Sequence, residues 1–197
     1  MGNYYKTKIT CVTSYKLYVI RCMPEFVNPT QILEKVGLRK TMVAADFGSV
    51  SGGWTIPLAS QIEEGRVFAI DVQEEPLSAL IGKAKLQGIS NIKKIVADVE
   101  KGVPEIKNNS CDLVLMTDLL FEIDDKIAVF KEANRILKTG GKALVVDWNP
   151  DSPLGPKKGR ISQETVEKIA QSSGFQFEKE FKAGDYHYGL VFTKPKV

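Results

Sequence analysis

Apolar positions recur along this chain in two rhythms that begin to trade places near residue 29. Residues 30–38 carry Ile32, Leu33 and Val36 at helical spacing, which predicts a short helix. Residues 43–47 form a brief apolar run closed by glycines, the mark of a strand buried on both faces. The alternation continues with a helix over 54–62, a strand over 66–71, a helix over 77–86 punctuated by Gly88, and a strand over 92–97. In the second half, a strand over 112–116 precedes an amphipathic helix over 127–137. That helix is expected to stop at Lys138-Thr139-Gly140-Gly141, where basic residues and glycine suit a helix C-terminus. A fifth strand over 143–146 and a helix over 163–172, with Ser162 as N-cap, come next. Strands over 175–181 and 188–193 close the chain around the tight turn Ala183-Gly184-Asp185.

Alternating strands and helices imply a mostly parallel sheet with helices on both faces. The final hairpin is expected to add one antiparallel strand at an edge. No linker, repeat or low-complexity stretch divides the body, so the predicted organisation is an N-terminal arm over 1–27 and one domain over 28–197. The arm breaks the rhythm: it is rich in Tyr, Lys and Thr and holds Cys11 and Cys22. A flexible arm, an edge strand and a segment upstream of a start at Met23 all remain compatible with it.

Composition narrows the function classes. With 197 residues, 43% hydrophobic and 26% charged, the chain has the profile of a globular domain with a sizeable core. A net charge of +3, from 27 basic against 24 acidic residues, does not suggest an electrostatic nucleic-acid binder. Cys11, Cys22 and Cys111 are too scattered for a disulfide framework or a metal site, so no metal is expected and a cytoplasmic setting is the plain reading. The apolar stretch 9–20 is too short and too polar to span a bilayer. No feature bears on oligomeric state.

The chemistry-bearing positions fall at the ends of the predicted strands. The first strand ends in Asp46-Phe47-Gly48-Ser49-Val50-Ser51-Gly52-Gly53 and runs into a helix. Glycines allow a tight turn and close backbone approach, and a helix N-terminus offers free N–H groups that suit a carboxylate. Such a turn alone is weak evidence, since a plain connecting loop looks the same. The second strand ends at Asp71, some 20 residues on, where a carboxylate accepts ribose hydroxyls in nucleotide-binding sheets. The third ends at Asp98, suited to an adenine amino group. A lone Asp is often a helix cap; three successive strands ending at Asp46, Asp71 and Asp98 are harder to dismiss.

The series Asp46-x-Gly48…Gly52, Ala69-Ile70-Asp71, Ala97-Asp98-Val99, Cys111-Asp112-Leu113-Val114-Leu115 and Arg135-Ile136-Leu137-Lys138-Thr139-Gly140-Gly141-Lys142 resembles the class I S-adenosylmethionine-dependent methyltransferases. It is closest to the small type 11 enzymes related to the quinone-biosynthesis methyltransferases, and covers about residues 28–194. The resemblance implies a Rossmann-like α/β fold of seven strands, only the last antiparallel, and S-adenosyl-L-methionine as cofactor. It implies that Gly48, Ser49 and Gly52 line the methionine part, that Asp71 holds the ribose, and that Val72 flanks the adenine. Asp98 and Val99 would meet the adenine edge, with Thr117 beside the sulfonium. The implied reaction is direct displacement, resting on holding donor and acceptor in line.

The turn departs from the family pattern at Val50, which stands where a middle glycine is usual. A β-branched residue is not expected at positive φ. Val50 is therefore expected either in an ordinary β conformation with a displaced cofactor, or at a cost in affinity. A non-catalytic or degenerate S-adenosylmethionine- or S-adenosylhomocysteine-binding module is the alternative this leaves open.

Three segments arrive at the same sheet edge as candidates for the acceptor side. Phe121, in Asp118-Leu119-Leu120-Phe121-Glu122, would cover the cofactor or an apolar substrate, with core packing as the competing role. Asp147 and Trp148 follow the fifth strand as candidate catalytic and pocket residues, Trp148 offering a large face. Tyr186 and His187 occupy the closing turn. His187 is the sole histidine and the candidate general base, against a purely structural role. The basic loop 155–160 is read as a solvated loop first and an attractor of acidic substrates second. Cys111 is read as buried. Neither a dinucleotide fingerprint nor a P-loop lysine accompanies the turn. A small-molecule acceptor is expected, with no nucleic acid and no membrane span.

Overall fold

The computed structural model describes residues 26–196; Cys11, Cys22 and nearly all of the expected arm lie outside the described residues. The described chain runs α1 (Pro29–Glu34), β1 (Val43–Phe47), α2 (Thr55–Gln61), β2 (Arg66–Asp71), α3 (Glu74–Leu86), β3 (Ile92–Val96), β4 (Cys111–Thr117), α4 (Lys126–Ile136), β5 (Leu137–Trp148), α5 (Gln163–Ser172), β6 (Gln176–Ala183) and β7 (His187–Thr193). They build one seven-stranded sheet in the order β3-β2-β1-β4-β5-β7-β6. All pairings are parallel except those of β7, which is antiparallel to both β5 and β6. The expected α/β class holds. The antiparallel strand, however, is not at the edge: β7 is inserted beside β5, and the edge position falls to β6. Burial explains the swap. Residues 187–192 of β7 are buried on both faces, whereas β6 alternates between exposed and half-buried.

Period-two patterning decides which helix covers which face. In β4, Val114 and Met116 join a core with Val129, Phe130 and Ala133 of α4 and Val166 and Ala170 of α5. Leu113 and Leu115 point the other way, into a core with Ile32 and Leu33 of α1 and Leu58 and Ala59 of α2. On that second face α3 packs Leu77 and Leu80 against Ala69. Ser162 caps α5 as expected, its side chain accepting from Thr165 N–H.

One boundary differs in kind. Residues 138–141 do not form a separate stop, because α4 passes directly into an extended Leu137 (φ −69°, ψ 138°) that opens β5. Pairing jumps from Cys111–Leu137 to Leu113–Lys142, so the Lys138–Gly141 segment is extra chain inside the strand. Gly140 makes this possible at φ +78°, donating its N–H to Lys194 O at 2.8 Å. The cation serving the end of α4 is not Lys138, which pairs with Asp112 at 2.9 Å. It is Lys194, whose Nζ donates to the carbonyls of Asn134 and Leu137.

The strand order reverses between β2-β1 and β4, so the crevice beyond the carboxyl ends of β1 and β4 is where this topology admits a ligand. Among the described residues, no helix is long and apolar enough to cross a membrane, and no cluster of metal-ligating side chains occurs.

Candidate functional site

A solvent-open cleft of about 270 Å³ occupies that crevice. Its walls are strand tips: Gly48 and Val50 after β1, Asp71 and Val72 at the end of β2, Asp98 and Val99 after β3, and Asp118 and Leu119 after β4. Gly48, Asp71, Val72, Asp98 and Val99, named from the sequence, are thus brought together. Asp46, Ser49 and Gly52 lie behind the turn as its scaffold, and Thr117 is buried beside Asp118 without lining the cleft.

The turn is closed by its own hydrogen bonds. Gly48 and Ser49 both donate N–H to Ile70 O at 2.9 and 3.0 Å, and Gly52 N–H reaches Ser49 O at 2.9 Å. Ser49 Oγ donates to Asp46 O and accepts from Ile70 N–H, tying β1 to β2. A Cβ on Gly52 would lie 2.8 Å from Leu80, and one on Gly48, at φ +75°, 2.9 Å from Leu119, so both glycines let neighbouring side chains seat closely.

Val50 contradicts the expectation of an ordinary β conformation. It sits in the left-handed region at φ +43°. Gly48, Ser49 and Gly52 fix the chain on both sides, and Val50 N–H donates to Asp71 Oδ2 at 3.0 Å. A left-handed L-residue costs roughly 1–2 kcal/mol, and these bonds hold it there. The isopropyl group stays largely in solvent, at 56% exposure, on the cleft wall.

Asp46 is fully buried. Its Oδ2 accepts from Thr55 Oγ1, a partner the sequence did not mark, while Oδ1 has no hydrogen-bond partner. Burial pushes its carboxyl up to about 7, with the Thr55 bond opposing. Asp71 is already bonded to Val50 and Gln73 N–H, so hydroxyls of a ligand would share its outer lone pairs. Asp98 accepts from Glu100 N–H and pairs with Lys101 at 2.9 Å. The Lys101 bond, then the Glu100 bond, holds it below the usual carboxylate range.

The acceptor-side candidates form a second group that joins the cleft at Asp118. This residue, also left-handed at φ +50°, lines the cleft and places Oδ1 3.0 Å from His187 Nε2. The pair meets the distance but not the angle of a hydrogen bond, leaving a buried Nε2 without a hydrogen-bonded partner. The imidazole lies against the Trp148 ring, centroids 4.0 Å apart. Asp147 does not reach the cleft. It is wholly buried, and its two oxygens accept from Leu120 N–H at 2.8 Å and Trp148 N–H at 2.7 Å. Burial raises its carboxyl to about 6, and its geometric effect is to fix the turn that carries Asp118.

The basic loop is solvated as expected at Lys157 and Lys158, both exposed, but it is also folded by its third basic residue. Arg160 donates to the carbonyls of Pro150, Ser152 and Leu154, folding the loop back on itself. A Cβ on Gly155 would meet the Trp148 ring at 2.4 Å, and one on Gly159 the Phe121 carbonyl at 2.0 Å. The loop is therefore a strap over Trp148 and Phe121, and its glycines were the available signal. Tyr186 is half-buried, its ring 5.8 Å from that of Phe26. Cys111 is buried, its thiol pushed up to about 11 by desolvation, and so inert. A depression of about 320 Å³ at the opposite end of the sheet lies at strand amino ends, where Asp112 is already engaged by Val43 N–H, Arg39 and Lys138. It lacks the convergent strand tips of the first cleft.

Residues 44–141, about half of the chain, match a family model described as a methyltransferase domain. A demethylmenaquinone methyltransferase of Staphylococcus aureus (strain MRSA252) is 32% identical over 126 residues, covering 63% of this chain and 51% of that protein. The chain thus spans about half the length of the curated relatives it matches. A SAM-dependent methyltransferase from Aquifex aeolicus has a TM-score of 0.79 at 24% identity, covering 86% of this chain and 90% of that one. Phosphoethanolamine N-methyltransferase 2 of Haemonchus contortus, solved with S-adenosyl-L-methionine, has a TM-score of 0.72 at 18% identity, covering 85% and 52%. At these identities the structural likeness speaks for the fold.

Proposed function

This chain carries a methyltransferase domain, and we propose from that premise that it is a class I S-adenosylmethionine-dependent enzyme of the type 11 group that moves a methyl group from S-adenosylmethionine to a small-molecule acceptor. The observation that carries this is the convergence of Gly48, Asp71, Val72, Asp98 and Val99 on one cleft at the switch point of the sheet. The residues present fit the cofactor: the cleft wall carries the glycine turn at Gly48 and a carboxylate at each of two strand tips, Asp71 and Asp98. Asp71 would take the ribose hydroxyls, Val72 and Val99 would flank the adenine, and Asp98 would share its oxygens with the adenine edge. Gly48, Ser49 and Gly52 would shape the methionine end, beside Thr117.

When bound, the cofactor supplies an electrophilic methyl group. The chain's own task is to hold the acceptor in line, exclude water and take up the proton the acceptor loses. Phe121, Trp148 and Tyr186 would give an acceptor pocket apolar faces, covered by the strap over 150–160. His187 is the group available for the proton. Asp147, with both oxygens occupied by backbone donors, acts by positioning instead. The curated relatives are named for demethylmenaquinone, so a planar, apolar quinol is the acceptor class to try first. The compartment that suits this reading is the cytoplasm, with residues 28–197 acting as one domain.

Calorimetry with S-adenosylhomocysteine tests the reading. Binding is expected in the wild type and is lost in Asp71→Ala; no heat at high ligand concentration refutes it. Formation of S-adenosylhomocysteine across a metabolite panel then separates an enzyme from a non-catalytic binding module.

A further inference from the structure

Between the cofactor cleft and the aromatic side of the site stands one carboxylate, Asp118. It lines the cleft, its side chain is 40% exposed, and its Oδ1 is 3.0 Å from His187 Nε2. Behind it the imidazole is 7% exposed and braced by Trp148, and Nε2 has no hydrogen-bonded partner. A buried nitrogen without a hydrogen bond costs stability and calls for an explanation, and the carboxylate 3.0 Å away is the group that supplies one. The backbone supports the same placement, since Asp118 holds φ +50° while its N–H bonds Val146 O at 2.8 Å. That geometry aims a partly wet oxygen at the cleft and keeps a dry nitrogen behind it.

We propose that Asp118 and His187 form a proton-uptake pair. Asp118 faces the methyl acceptor, and His187 stores the proton that the acceptor releases. The inference rests on the methyltransferase reading above and narrows its substrate class to acceptors that keep an O–H, N–H or acidic C–H proton until transfer. The bookkeeping closes. As the acceptor's X–H bond breaks, its electron pair forms the X–CH₃ bond and the proton passes through the Asp118 carboxylate to Nε2. The positive charge lost when the sulfonium becomes a thioether reappears as imidazolium beside Asp118, so one carboxylate neutralises both cations in turn. Other charges facing His187 are Asp147 on β5, fully occupied by backbone donors, and Glu180 and Lys182 on β6, which share a shallow surface depression with the ring.

The chain contains a single histidine, so one imidazole resonance in NMR reports the pair without knowledge of the acceptor. The ring nitrogen shifts report where the imidazole proton sits, and Asp118→Asn is expected to displace the Nε2 resonance at a fixed pH because the carboxylate oxygen lies 3.0 Å from that nitrogen. Asn tolerates the left-handed backbone, so a cooperative melt like that of the wild type is expected to accompany the displacement. An unchanged Nε2 resonance in the folded variant overturns the pair. With cofactor, the resonance is expected to differ between S-adenosylmethionine and S-adenosylhomocysteine, because only the former carries the sulfonium charge; identical resonances with both bound overturn the facing arrangement. Absence of binding by either ligand refutes the cofactor reading instead, and the ligand-free comparison still decides the pair.

Discussion

Replacing Asp46 by Asn separates the stability of the fold from the demands of the site. The carboxyl is fully buried, bonded only through Oδ2 to Thr55, and burial raises it from 3.8 to about 7. An acid raised on folding binds its proton more tightly in the native state, so stability falls as pH rises from about 4 to about 7 and is level above. At 1.36 kcal/mol per unit the loss is about 4 kcal/mol, a large fraction of a domain's stability. Asn keeps an acceptor for Thr55 and never ionises. The assay is urea unfolding of both proteins from pH 4.5 to 8.5, read as the difference between their curves, which cancels every other titrating group and any constant cost of the amide. Part of the loss lies below pH 4.5, so over the assayed range the difference should swing by about 3 kcal/mol in favour of Asn toward high pH, equivalent to about 10 °C in Tm for a domain of this size. Parallel curves would refute the buried charge. A larger benefit to the wild type at high pH would reverse the sign and the argument with it.

Further outcomes follow from the same geometry. Val50→Gly removes a left-handed β-branched residue from the cleft wall; S-adenosylhomocysteine should bind about fivefold tighter by calorimetry, equivalent to about 1 kcal/mol, and weaker binding would contradict Val50 as an obstacle. Asp147→Ala leaves the N–H groups of Leu120 and Trp148 buried without acceptors, a cost of about 2–5 kcal/mol visible as a lowered Tm; a near-neutral melt would show the bonds to be dispensable. Arg160→Met removes the donors that gather the carbonyls of Pro150, Ser152 and Leu154, so limited proteolysis should cut within 150–160 sooner while the global melt changes little.

Strong local periodicity made the body of the fold legible before any coordinates. β1 and β2 begin and end where the apolar runs begin and end, and Ser162 announced α5, because those signals depend on neighbours in sequence. The same holds for the wall of the cleft: parallel strands deliver Asp71 and Asp98 to one edge whatever the details of packing. The helix ends at Ile136, as the Lys138–Gly141 signal indicated, but that the segment itself joins β5 was not legible, because Gly140 is held by Lys194, over 50 residues away.

The sequence by itself determined the alternating α/β architecture, the glycine turn and the row of strand-tip acids, since periodicity and turn chemistry are local properties. Only the tertiary structure decided how those pieces interact. It forced Val50 to positive φ by clamping the turn between β1 and β2. It turned Asp147 inward to backbone donors, folded the basic loop into a strap, and set Asp118 against His187 from strands that are not adjacent in the chain. These outcomes depend on burial and on hydrogen-bond partners distant in sequence, which no local pattern encodes.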